Sequence, residues 1–170
     1  MNYQVRRAED RDFPGILALY AGARAFMAAS GNPDQWGRSD PPRAVLQQDL
    51  QGGNLYVITE NGRLHGVFMF RIFEDPTYRV IAQGSWHRPG PYGVIHRVAG
   101  DGSGGILKAA VAYGEQFADY LRIDTHRQNL PMQRAILSRG FSYCGVIFTA
   151  RGDPRLAYDR YQPAKAPGTV

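Results

Sequence analysis

A chain of 170 residues and 18.9 kDa fits one domain with one core, in which about two thirds of the surface of the unfolded chain becomes buried. With 44% hydrophobic and 21% charged residues the composition argues against a disordered chain, and no apolar run approaches the ~20 residues that cross a bilayer. The net charge of +5 favours anionic partners, but the 20 Lys and Arg are scattered, so nucleic-acid binding rests on charge alone.

The opening, Met1-Asn-Tyr-Gln-Val-Arg-Arg7, has no apolar segment of signal-peptide type behind it, and a cytoplasmic protein is expected. Tyr3 to Arg7 reads as a strand, and Ala8 to Asp12 leads into a helix with Asp10 or Asp12 as N-cap. Ile16, Leu17, Tyr20, Ala23 and Met27 line one helical face until Gly31. Asn32 to Asp40 is a turn-rich polar loop with a lone aromatic, Trp36. Pro41-Pro42 opens a short helix with Val45, Leu46 and Leu50 apolar, and Gly52-Gly53 closes it. Asn61-Gly62, set between Leu55–Glu60 and Arg63–Phe70, predicts a type I′ hairpin. From Glu74 to Gly93 the composition turns loop-like.

Tyr92 to Ala99 is a β-branched apolar run that reads as a buried strand and empties into Gly100-Asp-Gly-Ser-Gly-Gly105. A helix follows from Ile106 to about Asp119, with Ile106, Ala110, Tyr113 and Phe117 on one face. A strand, a glycine loop and a helix N-terminus in succession gather unpaired N–H groups and the positive end of a helix dipole at one spot, which suits phosphate. The Walker ending is absent, because Gly105 is followed by Ile106-Leu107-Lys108. A dinucleotide pattern can be laid on Gly100, Gly102 and Gly105, but two antiparallel-looking strands precede it; a ligand-free surface loop is the plain alternative. Leu121 to Thr125 is a strand, His126 to Leu130 a turn, and Pro131 stands near the first turn of a helix that carries Met132, Ala135, Ile136 and Leu137 up to Gly140. Phe141 to Phe148 is a strand holding the single cysteine, Cys144, so neither an internal disulfide nor a cysteine metal cluster is expected, and no metal is assigned. Gly152-Asp-Pro154 turns into a last strand around Leu156 to Tyr161. The reading is a single domain over 1–162 and a disordered tail over 163–170.

These elements resemble the GNAT family of acetyl-CoA-dependent N-acetyltransferases. The similarity is carried by Ile95-His-Arg-Val-Ala-Gly100, the glycine loop, Ile123-Asp-Thr-His126, Asn129, Pro131-Met-Gln133 and Gly140-Phe141, and it extends over almost the whole chain. It implies an α/β (α+β) fold: a mixed, strongly twisted sheet of about seven strands with helices on both faces. The fourth and fifth strands would splay apart around the pantetheine arm of coenzyme A, the co-substrate. The implied activity is direct transfer of acetyl from acetyl-CoA to a primary amine, with a small-molecule acceptor and no membrane partner; a homodimer is compatible with it.

By the same resemblance, backbone groups near Val98, Ala99 and Gly100 would hold the pantetheine and the acetyl oxygen. Those of Gly102, Ser103, Gly104, Gly105, Ile106 and Leu107 would hold the pyrophosphate. Asn129 would cap its helix or bond the cofactor arm, and Trp36, Tyr92 and His126 would belong to the acceptor side. Strict alternation puts Val94, His96 and Val98 on one strand face, where His96 is the candidate general base, or a core histidine bonded to backbone, with His126 near Asn129 as the second candidate. Asp124 and Asp40 could hold an amine by charge. Two positions depart from the family pattern: Leu107 stands where a second small residue is expected, and Ile136 where many members have a tyrosine that protonates the thiolate. They keep open a second reading, a non-catalytic acyl-CoA-binding or regulatory domain.

Overall fold

The computed structural model describes residues 2–163; the tail expected from Pro163 onward lies, beyond that first residue, outside the described residues. Seven strands form one sheet in the order β1-β2-β3-β4-β5-β7-β6, with β1 Gln4–Arg7, β2 Leu55–Glu60, β3 Arg63–Ile72, β4 Gly93–Gly100, β5 Tyr120–Thr125, β6 Ser142–Phe148 and β7 Pro154–Tyr161. Four helices accompany it: α1 Phe13–Ala29, α2 Arg43–Gln51, α3 Ile106–Gly114 and α4 Leu130–Ser138. All neighbouring strands are antiparallel except β4 and β5. Among the described residues no helix is long and apolar enough to cross a membrane.

The hairpin forms as the sequence predicts, with Asn61 at φ 52° and Gly62 at φ 76°, the two left-handed positions of a type I′ turn. One face of the sheet packs Tyr56, Phe68, Ile95, Leu121 and Ile123 against α3 and α4. On the opposite face, α1 and α2 cover Val57, Val67 and Ala99, and the segment between β3 and β4 covers Val94, Tyr120 and Ala157 through Tyr78 and Tyr92. That segment is pinned to β6 by paired Ala82 and Val146 backbone bonds of 2.8 Å. Helix α3 is shorter than its apolar spacing suggested. It ends at Gly114, whose carbonyl accepts from both Phe117 and Ala118, and Phe117 is left exposed.

Two departures from regular pairing position the site. Strands β4 and β5 pair only at Gly93 with Leu121 and Val94 with Arg122; beyond them the strands part, as the resemblance implied. In β4 the register against β3 slips between His96 opposite Met69 and Ala99 opposite Val67, so two residues face Phe68, a β-bulge. Arg97 takes up the extra residue at φ 54°, a left-handed conformation that costs a non-glycine residue about 1–2 kcal/mol. Three contacts hold it there: Tyr20 of α1 donates to the Arg97 carbonyl at 2.7 Å, and Asp49 of α2 accepts from Nε at 2.9 Å and from the terminal NH2 group at 2.7 Å. The bulge breaks strict alternation. Val98 therefore packs with the α3 and α4 side and Ala99 with the α1 side, so Val98 does not share a face with His96 as expected.

Candidate active site

Where β4 and β5 part, a cleft of about 450 Å³ opens, walled by Gly22, Ala23, Phe26 and Met27 of α1 and by Pro131, Met132 and Ala135 of α4. Since α1 and α4 lie on opposite faces, the cleft passes through the sheet. The strand edge along it belongs to β4, whose backbone beyond Val94 has no β5 partner.

Val98, Ala99 and Gly100 line this edge, Gly102, Gly104, Ile106 and Leu107 the loop and the start of α3, and Asn129 the far wall. The N–H groups at the start of α3 have no carbonyl partner within their own helix. Gly102 and Gly104 have φ of 89° and 84°, with open space where a Cβ would stand. Ser103 and Gly105 support the loop from behind. Tyr3 donates to the Gly104 carbonyl at 2.9 Å and meets Ser103 Oγ at 2.8 Å, and its ring lies 3.3 Å from where a Gly105 Cβ would be. Asp101 accepts from the Ser103 N–H at 3.0 Å and from the Ser103 hydroxyl; burial would raise its carboxyl, but these two hydrogen bonds and then the charge of His65 outweigh it and keep it below the usual range. Gly66 and Gly100 set the depth of the loop: a Cβ on either would stand 2.7 Å from Ile106, so α3 rests on the sheet only because both lack one. Leu107 turns its side chain into the core beside Ile106, Ala110 and Val111.

Asn129 acts as a cap and as a tie. Its Oδ1 accepts from the Met132 N–H at 3.2 Å, and its Nδ2 donates to Gln35 Oε1 at 2.8 Å. Gln35 also accepts from Asn32 at 2.8 Å, so the loop between α1 and α2 is fastened to the start of α4.

Below the mouth of the cleft, at the vertex of the parted strands, His96 lies between two carboxylates. Its Nε2 is 2.7 Å from Asp75 Oδ2, and its Nδ1 is 3.3 Å from Asp124 Oδ1. Continuing the parallel register places His96 and Asp124 opposite each other at the second unpaired rung, just beyond Ile95 and Ile123. Asp75 is buried, which by itself would raise its pKa, but the bond from His96 and two from Thr77, at 2.8 and 2.7 Å, outweigh this and hold it at about 2. Tyr78 donates to Asp124 at 2.7 Å; burial and the neighbouring Asp124 charge push its phenol far up, so it remains a donor. Asp124 was among the residues that could hold an amine. Asp75 and Tyr78 were not, because they lie in the proline-broken segment after Glu74, which has no periodicity to assign them a direction. Asp75 does cap the short 3-10 turn Pro76–Tyr78, and the Asp-Pro pair was the one local signal available.

Of the residues expected on the acceptor side only Tyr92 touches this cluster, and none of them lines the cleft. Tyr92 is buried, and its hydroxyl accepts from the Asp75 N–H at 3.0 Å. Trp36 packs edge-on against Tyr20 at 5.5 Å. His126, at the end of β5, is held below the usual histidine range by burial and then by the charge of Arg155. Asp40 pairs with Arg151. Ile136 is fully buried in the core, and Tyr143 lies on β6 against Tyr158.

The described residues also group His87, Cys144 and Asp159 with their ligand atoms within 4.8 Å, which sequence spacing did not reveal. Asp159 there accepts from the His87 N–H at 2.8 Å and from Tyr120 at 2.7 Å, and its other oxygen meets His87 Nδ1 at 2.7 Å. Burial pushes the Cys144 thiol up to about 12, which makes it unreactive.

No protein-family model matches the sequence, and no curated protein matches it. Solved structures do. An acetyltransferase of the GNAT family from Streptococcus agalactiae is 28% identical, with a TM-score of 0.84 over 95% of this chain and 96% of its own. A GNAT-family acetyltransferase from Listeria monocytogenes, 19% identical, superposes with a TM-score of 0.67 over 94% of each chain. A ribosomal-protein-alanine N-acetyltransferase from Brucella melitensis, 18% identical, gives 0.61 over 93% of this chain and 99% of its own.

Proposed function

Given that the chain has the fold of the GNAT acetyltransferases, we propose that it transfers acetyl from acetyl-CoA to a primary amine of a small molecule by direct attack. The observation that carries this reading is the cleft through the parted strands, with an open β4 edge on one wall and the N-terminus of α3 at its end. The residues present fit coenzyme A. The positive-φ glycines leave the loop backbone uncovered, Leu107 is folded inward, and Phe26, Met27 and Met132 give the arm an apolar channel. Acetyl-CoA supplies the activated thioester.

The chain's own groups then have four tasks. N–H groups of Gly102 and of Gly104 to Leu107 bind the pyrophosphate, the Ser103 N–H being held by Asp101. N–H groups near Val98 and Ala99, on the open edge, hold the pantetheine and receive the charge that develops on the acetyl oxygen. Asp124 attracts the acceptor as its ammonium form. Asp75 fixes His96 by Nε2 and leaves Nδ1, on the Asp124 side, as the nitrogen that takes the proton the amine must lose before it attacks. The imidazolium so formed lies between two carboxylates. As the tetrahedral species collapses, the C–S bond breaks and the thiolate leaves; with Ile136 in the core, its proton comes from solvent.

Buried Ile136 also favours a second reading, an acyl-CoA binder without turnover. Calorimetric titration with acetyl-CoA and with free coenzyme A, followed by thiol release in the presence of an amine panel, separates the two. Binding with amine-dependent release supports transfer. Binding without release from any amine supports the binder, and no binding removes both.

A further inference from the structure

The acetyl-transfer reading leaves one charged group on the acceptor side without a task. Arg155 is 7% exposed. On β7 it shares a sheet face with Ala157, which is paired with Asp124 of β5. Arg155 is thus the diagonal neighbour of Asp124, about 7–8 Å away along the sheet. Its guanidinium donates to two carbonyls, Pro154 O and Gln35 O, both at 3.1 Å, and among the described residues no carboxylate reaches ion-pair distance.

Arg122, buried to the same degree, also lacks a carboxylate, but its guanidinium lies over the rings of Trp86, Tyr92 and Tyr120; among the described residues Arg155 has no such ring. A guanidinium carries five N–H donors, the bonds of Arg155 use two, and a buried charge without a counter-ion is costly. The carboxylates that could have served are committed elsewhere: Asp40 to Arg151, Asp124 to Tyr78 and His96, and Asp153 to Thr149 and Arg151. Burial accordingly lowers the pKa of Arg155, with Asp124 and Asp153 offsetting it only from a distance. The Gln35 carbonyl aims the guanidinium, and the Gln35 side chain is itself fixed by Asn32 and Asn129. The orientation of Arg155 is therefore built in.

We infer that the acceptor is a zwitterion of the α-amino-acid class, its ammonium group at Asp124 and His96 and its carboxylate on the free donors of Arg155. An α-amino acid carries its two charges on adjacent carbons. With a hydrogen bond at each end, it spans a carboxylate and a guanidinium on diagonal positions of neighbouring strands. An alkylamine or a polyamine would satisfy Asp124 and leave Arg155 uncompensated, and sites that leave a buried polar group unpaired reject such analogues strongly.

The test compares free amino acids, the corresponding amino-acid amides and simple alkylamines as acceptors, by thiol release from acetyl-CoA. Amino acids are expected to exceed their amides in kcat/KM by at least about tenfold. Arg155→Gln should erase that ratio through KM for the amino acid, and Arg155→Lys should keep part of it; calorimetric binding of acetyl-CoA checks that each variant is folded. If Arg155→Gln does not fold, the wild-type ratio and the Lys variant decide. Amides or alkylamines used as well as amino acids, an unchanged ratio in a folded Gln variant, or acetyl-CoA binding with no release from any amine would each overturn the zwitterion inference. Failure of the wild-type protein to bind acetyl-CoA would overturn acetyl transfer itself.

Discussion

His96 and Asp124 face each other across the second unpaired rung between β4 and β5, with Nδ1 3.3 Å from a carboxylate oxygen. If that nitrogen takes the acceptor's proton, His96→Ala lowers kcat by about 10²-fold or more and leaves the acetyl-CoA dissociation constant within about twofold, since His96 does not line the cleft. Steady-state kinetics together with calorimetry would show it. Equal turnover in the variant removes the base role.

Asp75 contributes to stability in a pH-dependent way. Its carboxyl titrates at about 2 in the fold against an ordinary 3.8, so between these values the unfolded chain holds more protons than the folded one. Its contribution is complete above about pH 5 and disappears as the pH falls towards 2. With allowance for screening by nearby solvent it amounts to about 1–2 kcal/mol. Urea unfolding between pH 7 and pH 2 should show wild-type stability falling by that much more than Asp75→Asn stability; parallel curves would contradict it.

Gly100→Ala places a Cβ 2.7 Å from Ile106 Cγ1, so the start of α3 has to lift. Such overpacking costs about 1–3 kcal/mol, and a displaced loop weakens acetyl-CoA binding. The second change Ile106→Ala makes room, so the pair should be less damaging than the sum of the singles. Thermal unfolding of the four proteins in the cycle measures this coupling, and strict additivity would mean that Ile106 is not the obstacle.

Arg97→Ala keeps the left-handed backbone and removes the partner of Asp49, whose carboxyl is already raised by burial. A loss of about 2 kcal/mol or more is expected, because the carboxylate is left unpaired. Arg97→Gly relieves the backbone while losing the same pair, so it should be milder than Ala. Denaturant midpoints of both variants give the order, and Gly as damaging as Ala would refute the strain argument.

Much of this architecture was readable from local rules. Asn61-Gly62 specifies its turn by the two left-handed residues a I′ hairpin requires, and Gly140 at φ 79° ends α4 as a C′ glycine should. The glycine loop and the start of α3 stand where strand, glycines and apolar spacing place them, although α3 ends at Gly114, short of the expected Asp119. The bulge in β4 did not announce itself. It depends on Tyr20 and Asp49, which are remote in sequence from Arg97, and a one-residue slip moves every later side chain to the other face. For that reason strict alternation puts Val98 with His96, and the structure does not. Asp75, Tyr78 and Gln35 were missed for a related reason, since loops without periodicity give no direction to their side chains. Arg155 was visible only as one basic residue among many until its lack of a carboxylate partner could be seen.

Only two rungs join β1–β4 to β5–β7, and this changes the meaning of the loop between α1 and α2. Through Gln35 to Asn129, Gln35 to Arg155 and Asp40 to Arg151, that short segment buckles the two half-sheets together where their backbones no longer touch. Protection from amide hydrogen exchange along the far ends of β4 and β5 should therefore rise and fall with the integrity of residues 32–40, and not with the strands alone. A ligand wedged between the strands would make the molecule stiffer as a whole, as a splint does.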